Sequence, residues 1–187
     1  ISVEIACEAD AKGRSKITKL DLVQSAPGTG NVLRPHQLQL GLFQKDSFGR
    51  LSLMDKEISV AFEGERVTVE DATGKKCPDL VFPNVEDHGY FAVNLDPKSL
   101  EAAKTSLAKV ADPFTRHLLV FTLWEMVKAS KWKVEDFASA AIEWISRETN
   151  KTLLEDLAFV LENRSQTRLS VARLLEGEAR TKFRKEL

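Results

Sequence analysis

The chain has 187 residues, of which 43% are apolar and 29% are charged, and its formal net charge is −1. That apolar share can fill one large core or two small ones, so wholesale disorder is excluded. Acidic and basic residues are mixed along the whole chain without a long basic run, so no nucleic-acid partner is expected.

The N-terminal residues do not resemble a targeting signal. A signal peptide needs a basic start followed by a continuous apolar stretch, whereas the first ten residues alternate apolar and polar side chains. The longest apolar run, residues 118–121, is too short to cross a bilayer, so no membrane partner is expected. Because the chain starts at Ile1 inside a strand pattern, we expect a fragment of a longer protein.

From residue 1 to residue 95, apolar side chains recur at every second position. The alternating runs are residues 1–5, 17–23, 36–42, 51–53, 58–62, 67–69, 80–82 and 91–95. Turn residues separate these runs at short intervals, and no helix-length pattern interrupts them. About seven strands of this kind predict an antiparallel, immunoglobulin-like β-sandwich domain over residues 1–95.

Beyond residue 95 the apolar period changes to three or four residues. Asp96-Pro97 and Asp112-Pro113 indicate helix starts, because aspartate accepts from first-turn amides and proline is tolerated at the first helical position. About five helices are predicted, near residues 97–110, 113–129, 134–145, 150–161 and 169–187. Short connections between helices are typical of an α-solenoid, so residues 96–187 are predicted to be the truncated start of a helical superhelical domain.

Two features predict how these helices are covered. Residues 113–129 are apolar nearly all round, so that helix must be covered on several sides. At the C-terminal end, four apolar side chains have no following helix to cover them: Leu169, Leu174, Leu175 and Phe183. We therefore expect exposed apolar faces there and a dimer formed through them.

The two cysteines, Cys7 and Cys77, lie far apart in the chain. Their spacing matches neither a close metal-binding pair nor a disulfide framework with several cysteines. Cys7 continues the apolar face of Val3 and Ile5, so a buried free thiol is expected there. Reduced cysteines are typical of the cytoplasm, so a cytoplasmic location is predicted.

The sequence predicts no catalytic, cofactor-binding or metal-binding residue. His36, His88 and His117 lack a second ligand three or four residues away, and no serine-nucleophile motif occurs. His117 is expected to pack between helices, and His88 to lie in a solvated loop. Gly28 and Gly30 lack the Lys-Ser/Thr pair of a phosphate-binding loop, so a turn between strands is expected.

Other polar and aromatic side chains are assigned structural roles. Three acidic residues are expected on solvated helical faces: Glu148, Glu155 and Asp156. Three tryptophans could line a sugar groove, but their positions in the helical half of the chain favour the core or a helix interface: Trp124, Trp132 and Trp144. Asn150 and Asn163 begin triplets of the N-glycosylation type, which are common by chance, and Asn150 is expected to cap the fourth helix.

Three stretches occur in a characteristic order: residues 9–27 with 33–43, residues 78–96, and residues 111–137. They resemble parts of the aminopeptidase N-type zinc metallopeptidases, the gluzincin aminopeptidase family. The first resembles the segment after the catalytic domain. The second, PDLVFPNVEDHGYFAVNLD, resembles the close of a small β-sandwich with a GYYRVNYD-like run, and the third resembles the first helices of the C-terminal domain. Ala92 stands where that family commonly has arginine.

This resemblance covers most of residues 10–145 and implies a parent enzyme that removes N-terminal residues from peptides with one zinc ion. The family's HExxH helix, its downstream glutamate ligand and its GAMEN-like strand are absent from this chain and would lie upstream. The fragment would then be architectural. Its partners would be the parent's catalytic domain and the rest of its helical domain, and together they would shape the access of peptide substrates.

The alternative is a free-standing interaction module that binds a protein or a carbohydrate through its sandwich. It predicts a self-contained helical half with a polar outer face on the last helix. The apolar residues at the C-terminal end predict the opposite. An independent hydrolase has no motif to support it.

Overall fold

In a computed structural model of the chain, which describes residues 1–26, 32–162 and 169–187, seven strands precede six α-helices. The predicted order of β structure followed by α structure is confirmed. The chain divides into two compact units, Ile1–Ala103 and Lys104–Leu187. Among the described residues, every helix is too short or too polar to span a bilayer.

The first unit contains two antiparallel sheets. The strands are β1 (Ser2–Ala9), β2 (Ser15–Val23), β3 (His36–Lys45), β4 (Leu51–Leu53), β5 (Ile58–Phe62), β6 (Arg66–Thr68) and β7 (Leu80–Phe82). One sheet has the order β1-β2-β6, and in the other β3 pairs with β4, β5 and β7. Every ladder between these strands is antiparallel, as the alternating pattern predicts.

One apolar core lies between the inward faces of these strands. Across the β3–β5 ladder, Leu38 pairs with Val60 and Leu40 pairs with Ile58, and all four side chains are buried. Side chains of both sheets belong to the same cluster: Ile17, Leu20 and Leu22 from β2 join those of β3 and β5. A shared core of this kind is what two packed sheets require, because each sheet buries only one face.

Residues 91–95 do not form the strand that their alternation predicts. A single parallel bridge joins Asn94 to Ser2, and the described segment is otherwise irregular up to the first helix. Val93 and Leu95 are nevertheless buried. Alternation therefore predicts correctly which side chains face the core, but it does not ensure that the backbone forms a continuous ladder with a neighbouring strand.

The helices begin close to the positions that the capping residues predict. They are α1 (Pro97–Ser106), α2 (Pro113–Lys128), α3 (Val134–Arg147), α4 (Lys151–Leu161), α5 (Val171–Leu174) and α6 (Gly177–Glu186). Asp112 accepts from the amides of Phe114 and Thr115 at the start of α2, and Asn150 accepts from the amide of Leu153 at the start of α4. As predicted, α2 is covered on several sides and contacts both α3 and α4.

The single C-terminal helix predicted for residues 169–187 is wrong, because the chain forms α5 and α6 instead. Leu175 and Glu176 between them are extended, with ψ angles of 145° and 160°. Gly177 then begins α6 with a positive φ of 51°, a conformation that glycine adopts without the strain of a β-carbon. Helical periodicity continued through this break, so the pattern did not reveal it.

The uncovered apolar face predicted for this end of the chain is also largely wrong. Leu175 and Phe183 are only 1% and 3% exposed, and Leu174 is partly buried. Leu169 is the one of the four that is exposed, at 51%. The break between α5 and α6 changes the direction of the chain, so α6 packs its phenylalanine against α3 and presents polar residues outward.

Candidate functional site

The histidines do not converge on a metal site. Among the described residues, no three His, Cys, Asp or Glu side chains are grouped so that they could hold a metal ion. His36 begins β3 and packs against the rings of Phe62 and Phe91, with centroids 5.6 and 5.2 Å away. Burial lowers the pKa of His36. His88 lies in an exposed loop with its Nε2 3.3 Å from a carboxylate oxygen of Glu86.

His117 joins two helices, as the sequence predicts. Its Nδ1 lies 2.8 Å from Oδ2 of Asp156, which links α2 to α4. The imidazole also stacks beside Phe114 and Phe121, with centroids 6.5 and 4.7 Å away. Asp156 is therefore engaged in packing the helices rather than lying on the freely solvated face that was predicted.

Glu148 is the clearest departure from the predicted solvated face. It follows α3 directly, its side chain is only 4% exposed, and both of its oxygens accept from Arg116 at 2.7 Å. Burial raises the pKa of Glu148, but the hydrogen bonds from Arg116 and from two backbone amides outweigh burial and lower it. Glu155, in contrast, is 67% exposed, as expected.

The three tryptophans surround one phenylalanine in the helical unit. The rings of Trp124, Trp132 and Trp144 lie 5.5, 5.6 and 5.6 Å from that of Phe137. The indole N–H of Trp144 donates to the carbonyl of Lys104 at 3.1 Å. Trp124 and Trp144 are buried and Trp132 is partly buried, so the predicted packing role is confirmed.

The remaining predicted positions fall into two groups. Asn150 caps α4 through its side-chain oxygen, 3.0 Å from the amide of Leu153. Gly28, Gly30 and Asn163 lie outside the described residues, so the turn and the second glycosylation triplet stay predictions.

Cys7 and Cys77 form a disulfide, with their Cα atoms 5.9 Å apart, so the free thiol expected at Cys7 is wrong. In the β1–β2 ladder Cys7 lies opposite Ile17, and the amide of Cys77 donates to the carbonyl of Ser15 in β2. Sheet register brings the two cysteines together, and residue spacing gave no signal of it. The cytoplasmic prediction rested on reduced cysteines and loses that support.

A cleft of about 660 Å³ opens beside this disulfide. Both cysteines line it together with the apolar side chains of Ile5 and Val81. Lys98, from the first turn of α1, also lines the cleft, and its ammonium nitrogen is 3.6 Å from the sulfur of Cys77. Glu4 and Asp96 also line the cleft, so apolar walls, a sulfur–sulfur bond and charges of both signs meet in a single concave surface.

A second candidate surface is the loop that ends at Tyr90. The buried side chain of Asn84 accepts from the amide of Gly89 and donates to its carbonyl, both at 3.0 Å, and it also donates to Asp87. These bonds hold the loop in one conformation, in which Asp87 has a positive φ of 54°. Tyr90 is fully exposed at the end of that loop, at 104%. Sequence reasoning did not single out Tyr90, although it lies in the quoted sandwich-closing segment.

A buried carboxylate connects the strands of the first sheet. Asp21 in β2 is 1% exposed and contacts the ammonium of Lys19 at 2.9 Å, Arg66 at 2.5 Å and the hydroxyl of Thr68 at 2.8 Å. The hydrogen bond from Lys19, followed by those from Arg66 and Thr68, holds the pKa of Asp21 at about 2 although burial opposes the shift. This cluster ties β2 to β6, and Arg66 also pairs with Glu4 of β1, so we assign it to stability.

No protein-family model matches the chain. The chain is 26% identical over 156 residues to an Aminopeptidase N from Streptomyces lividans, and the match covers 80% of this chain and 18% of that protein. The chain thus spans less than a fifth of that relative's length. At this identity, the match gives weak support to a relationship with aminopeptidase N.

Proposed function

We propose that the chain is a non-catalytic, C-terminal fragment of a zinc-dependent aminopeptidase that removes N-terminal residues from peptides. The proposal rests on the uneven coverage of the match, which takes in 80% of this chain but 18% of the Streptomyces lividans protein. Such coverage is expected when one chain corresponds to a single segment of a larger enzyme. Zinc is assigned to the parent enzyme because the resemblance to zinc aminopeptidases implies it there.

Within this proposal, each half of the chain has an architectural task. Residues 1–95 are an immunoglobulin-like sandwich that supports the catalytic domain, in line with the core shared by both sheets. Residues 96–187 begin a solenoid-like helical domain that shapes the access of peptide substrates. The Tyr90 loop is the proposed contact with the catalytic domain, because an exposed aromatic on a pre-ordered loop binds with little loss of conformational freedom.

Activity of the isolated chain is the direct test. We expect no hydrolysis of an aminoacyl-anilide by the purified chain supplied with zinc, and no tightly bound zinc at a one-to-one ratio. Hydrolysis that a chelator abolishes would defeat the proposal. Sequencing the upstream coding region is a second test, and we expect HExxH followed by a glutamate about twenty residues later.

The Tyr90 contact is tested in the complete protein. We expect Tyr90→Ala to lower the thermal midpoint and to expose the junction with the catalytic domain to proteolysis, because truncating an interface aromatic costs about 2 kcal/mol or more. Phe48→Ala is the matched control, since Phe48 is a 74%-exposed aromatic at another turn of the same unit. Equal effects of the two variants would remove Tyr90 from the interface.

The free-standing interaction module gains support from one observation. Leu175 and Phe183 are buried and α6 presents polar residues outward, which is the self-contained helical half that this alternative predicts. The proposed dimer through helical faces would then use Leu169 together with other exposed apolar side chains of this unit, such as Phe114 and Leu187. Sedimentation of a dilute sample separates the two: a monomer that binds no hydrophobic dye favours the module, and a concentration-dependent dimer favours the fragment.

The proposal includes a cytoplasmic location, and the disulfide is the observation that tests this location most directly. Disulfides persist in oxidising compartments, and stable ones are rare in a reducing cytosol, so the Cys7–Cys77 bond weighs against that location. Alkylating cells before lysis and mapping both cysteines by mass spectrometry tests it. Free thiols in the cytosolic fraction would support a cytoplasmic location, and a closed bond in a secreted or surface fraction would refute it.

A further inference from the structure

We propose that the Cys7–Cys77 disulfide is a site of covalent exchange with low-molecular-weight thiols, in which Cys7 takes the incoming thiol and Cys77 leaves as a thiolate. This inference is independent of the proposed aminopeptidase parent, because it concerns only the sulfur atoms and the cleft beside them. It depends on access to the bond and on an asymmetry of charge between its two ends.

Access to the bond is provided by the cleft of about 660 Å³ that both cysteines line. That volume lies within the range of small-molecule clefts. Neither cysteine is fully buried. Ile5 and Val81 give the cleft apolar walls, and Lys98 has a side chain that is 52% exposed. Because the carboxylates of Glu4 and Asp96 line the same cleft, it offers charges of both signs to a peptide thiol such as glutathione, which carries both.

The charges near Cys77 favour a thiolate at that end. The ammonium of Lys98 is 3.6 Å from the sulfur of Cys77, and its second contact is the carbonyl of Pro78 at 2.5 Å. Asp79 is the nearest competing carboxylate, 3.8 Å from the same ammonium, and it also accepts from the amide of Lys45 at 2.8 Å. Lys98 is therefore slightly closer to the sulfur of Cys77 than to the carboxylate of Asp79, so its charge acts on both groups.

Charges around the two cysteines differ in sign along the chain. Cys77 follows Lys75 and Lys76, of which Lys75 pairs with Asp55, whereas Cys7 precedes Glu8, which lies opposite Lys16 in the β1–β2 ladder. Glu4 also lines the cleft on the Cys7 strand, although its carboxylate pairs with an arginine. A neighbouring cation lowers the pKa of a thiol, and the sulfur with the lower pKa is the better leaving group.

The step balances without an added oxidant. A glutathione thiolate, its proton released to solvent, attacks the sulfur of Cys7 and forms a new sulfur–sulfur bond. The Cys7–Cys77 bond breaks, and its electron pair stays on the sulfur of Cys77 as a thiolate beside Lys98. Glutathione is thereby oxidised to a mixed disulfide and Cys77 is reduced.

The experiment uses the complete chain, incubated folded with reduced glutathione, quenched with an alkylating agent and mapped by mass spectrometry. We expect glutathione on Cys7 and the alkyl group on Cys77. In water, a unit positive charge 3.6 Å from a thiolate favours formation of that thiolate by roughly sevenfold. With about half of the charge developed in the transition state, Lys98→Gln should slow exchange ~3-fold.

Two further variants separate this chemistry from a loss of structure. Lys12→Gln, at the exposed β1–β2 turn, should leave the rate unchanged, and Lys98→Arg should restore it. In the reduced chain, Lys98→Gln should raise the pKa of the Cys77 thiol and leave that of Cys7 unchanged. Glutathione on Cys77, equal rates for the Lys98→Gln and Lys12→Gln variants, or a bond that opens only in denaturant would overturn the proposal.

Discussion

Replacing Arg116 with methionine removes the cation of a buried ion pair while keeping most of the side chain's apolar stem. The side chains of Arg116 and Glu148 are only 10% and 4% exposed, and two hydrogen bonds of 2.7 Å join them. Arg116 also donates to the carbonyls of Val110 and Ala111, at 2.7 and 3.1 Å. One guanidinium therefore links the start of α2 to the segment before it and to the end of α3.

The size of the effect follows from what the substitution leaves behind. Truncating one partner of a buried ion pair costs about 3–5 kcal/mol, because the other charge stays buried without its counter-ion. The backbone amides of Thr149 and Asn150 still donate to Glu148, which places our expectation near the middle of that range, at about 4 kcal/mol. Arg147→Met is the control, since its pair with Glu143 is more than half exposed and should cost ~0–1 kcal/mol.

Urea denaturation followed by the far-ultraviolet helical signal measures the difference. With a slope of about 1–3 kcal/mol per molar urea, Arg116→Met should lower the midpoint by roughly 2 M. Adding Glu148→Met to Arg116→Met should recover part of the loss, because the stranded carboxylate is then gone. If Arg116→Met costs no more than Arg147→Met, burial does not strengthen this pair and the reasoning is refuted.

Two further predictions concern the β unit. Replacing both Cys7 and Cys77 with serine should lower the free energy of unfolding by about 4 kcal/mol in the chain-entropy account, because the disulfide closes a loop with a sequence separation of 70. An unchanged urea midpoint relative to the oxidised, unsubstituted chain would contradict this. For Asp21, the folded pKa of about 2 lies below the ordinary value of 3.8, so its stabilisation is present above about pH 4 and is lost as pH falls towards 2. Asp21→Asn should therefore be less stable at neutral pH and should lose less stability on acidification, and parallel stability–pH curves for the two proteins would count against this assignment.

The features that sequence reasoning predicted correctly are local ones. Asp112 and Asn150 act within three residues of themselves, so their capping roles follow from composition and spacing. The alternation in β3 also predicted correctly that Leu38 and Leu40 lie in the core, because strand geometry alone puts every second side chain on one face.

The errors arose where one pattern is compatible with two structures. Val93 and Leu95 are buried although their segment forms no strand, because its single bridge to β1, at Asn94, does not extend into the continuous ladder that a strand requires. Helical spacing ran through Glu176, where extended backbone separates α5 from α6. Glu148 was assigned to solvent because charged side chains usually are, and its partner Arg116 lies 32 positions away in the chain.

The amino-acid sequence by itself determined the change from β structure to helices, the helix starts and most of the buried faces, because these depend on side-chain periodicity and on contacts within a few residues. Tertiary structure alone decided that Cys7 meets Cys77, that Lys98 lies beside that bond, and that Tyr90 is fully exposed. Those features depend on sheet register and on a loop held by side-chain hydrogen bonds, which position groups that are distant or unremarkable along the chain.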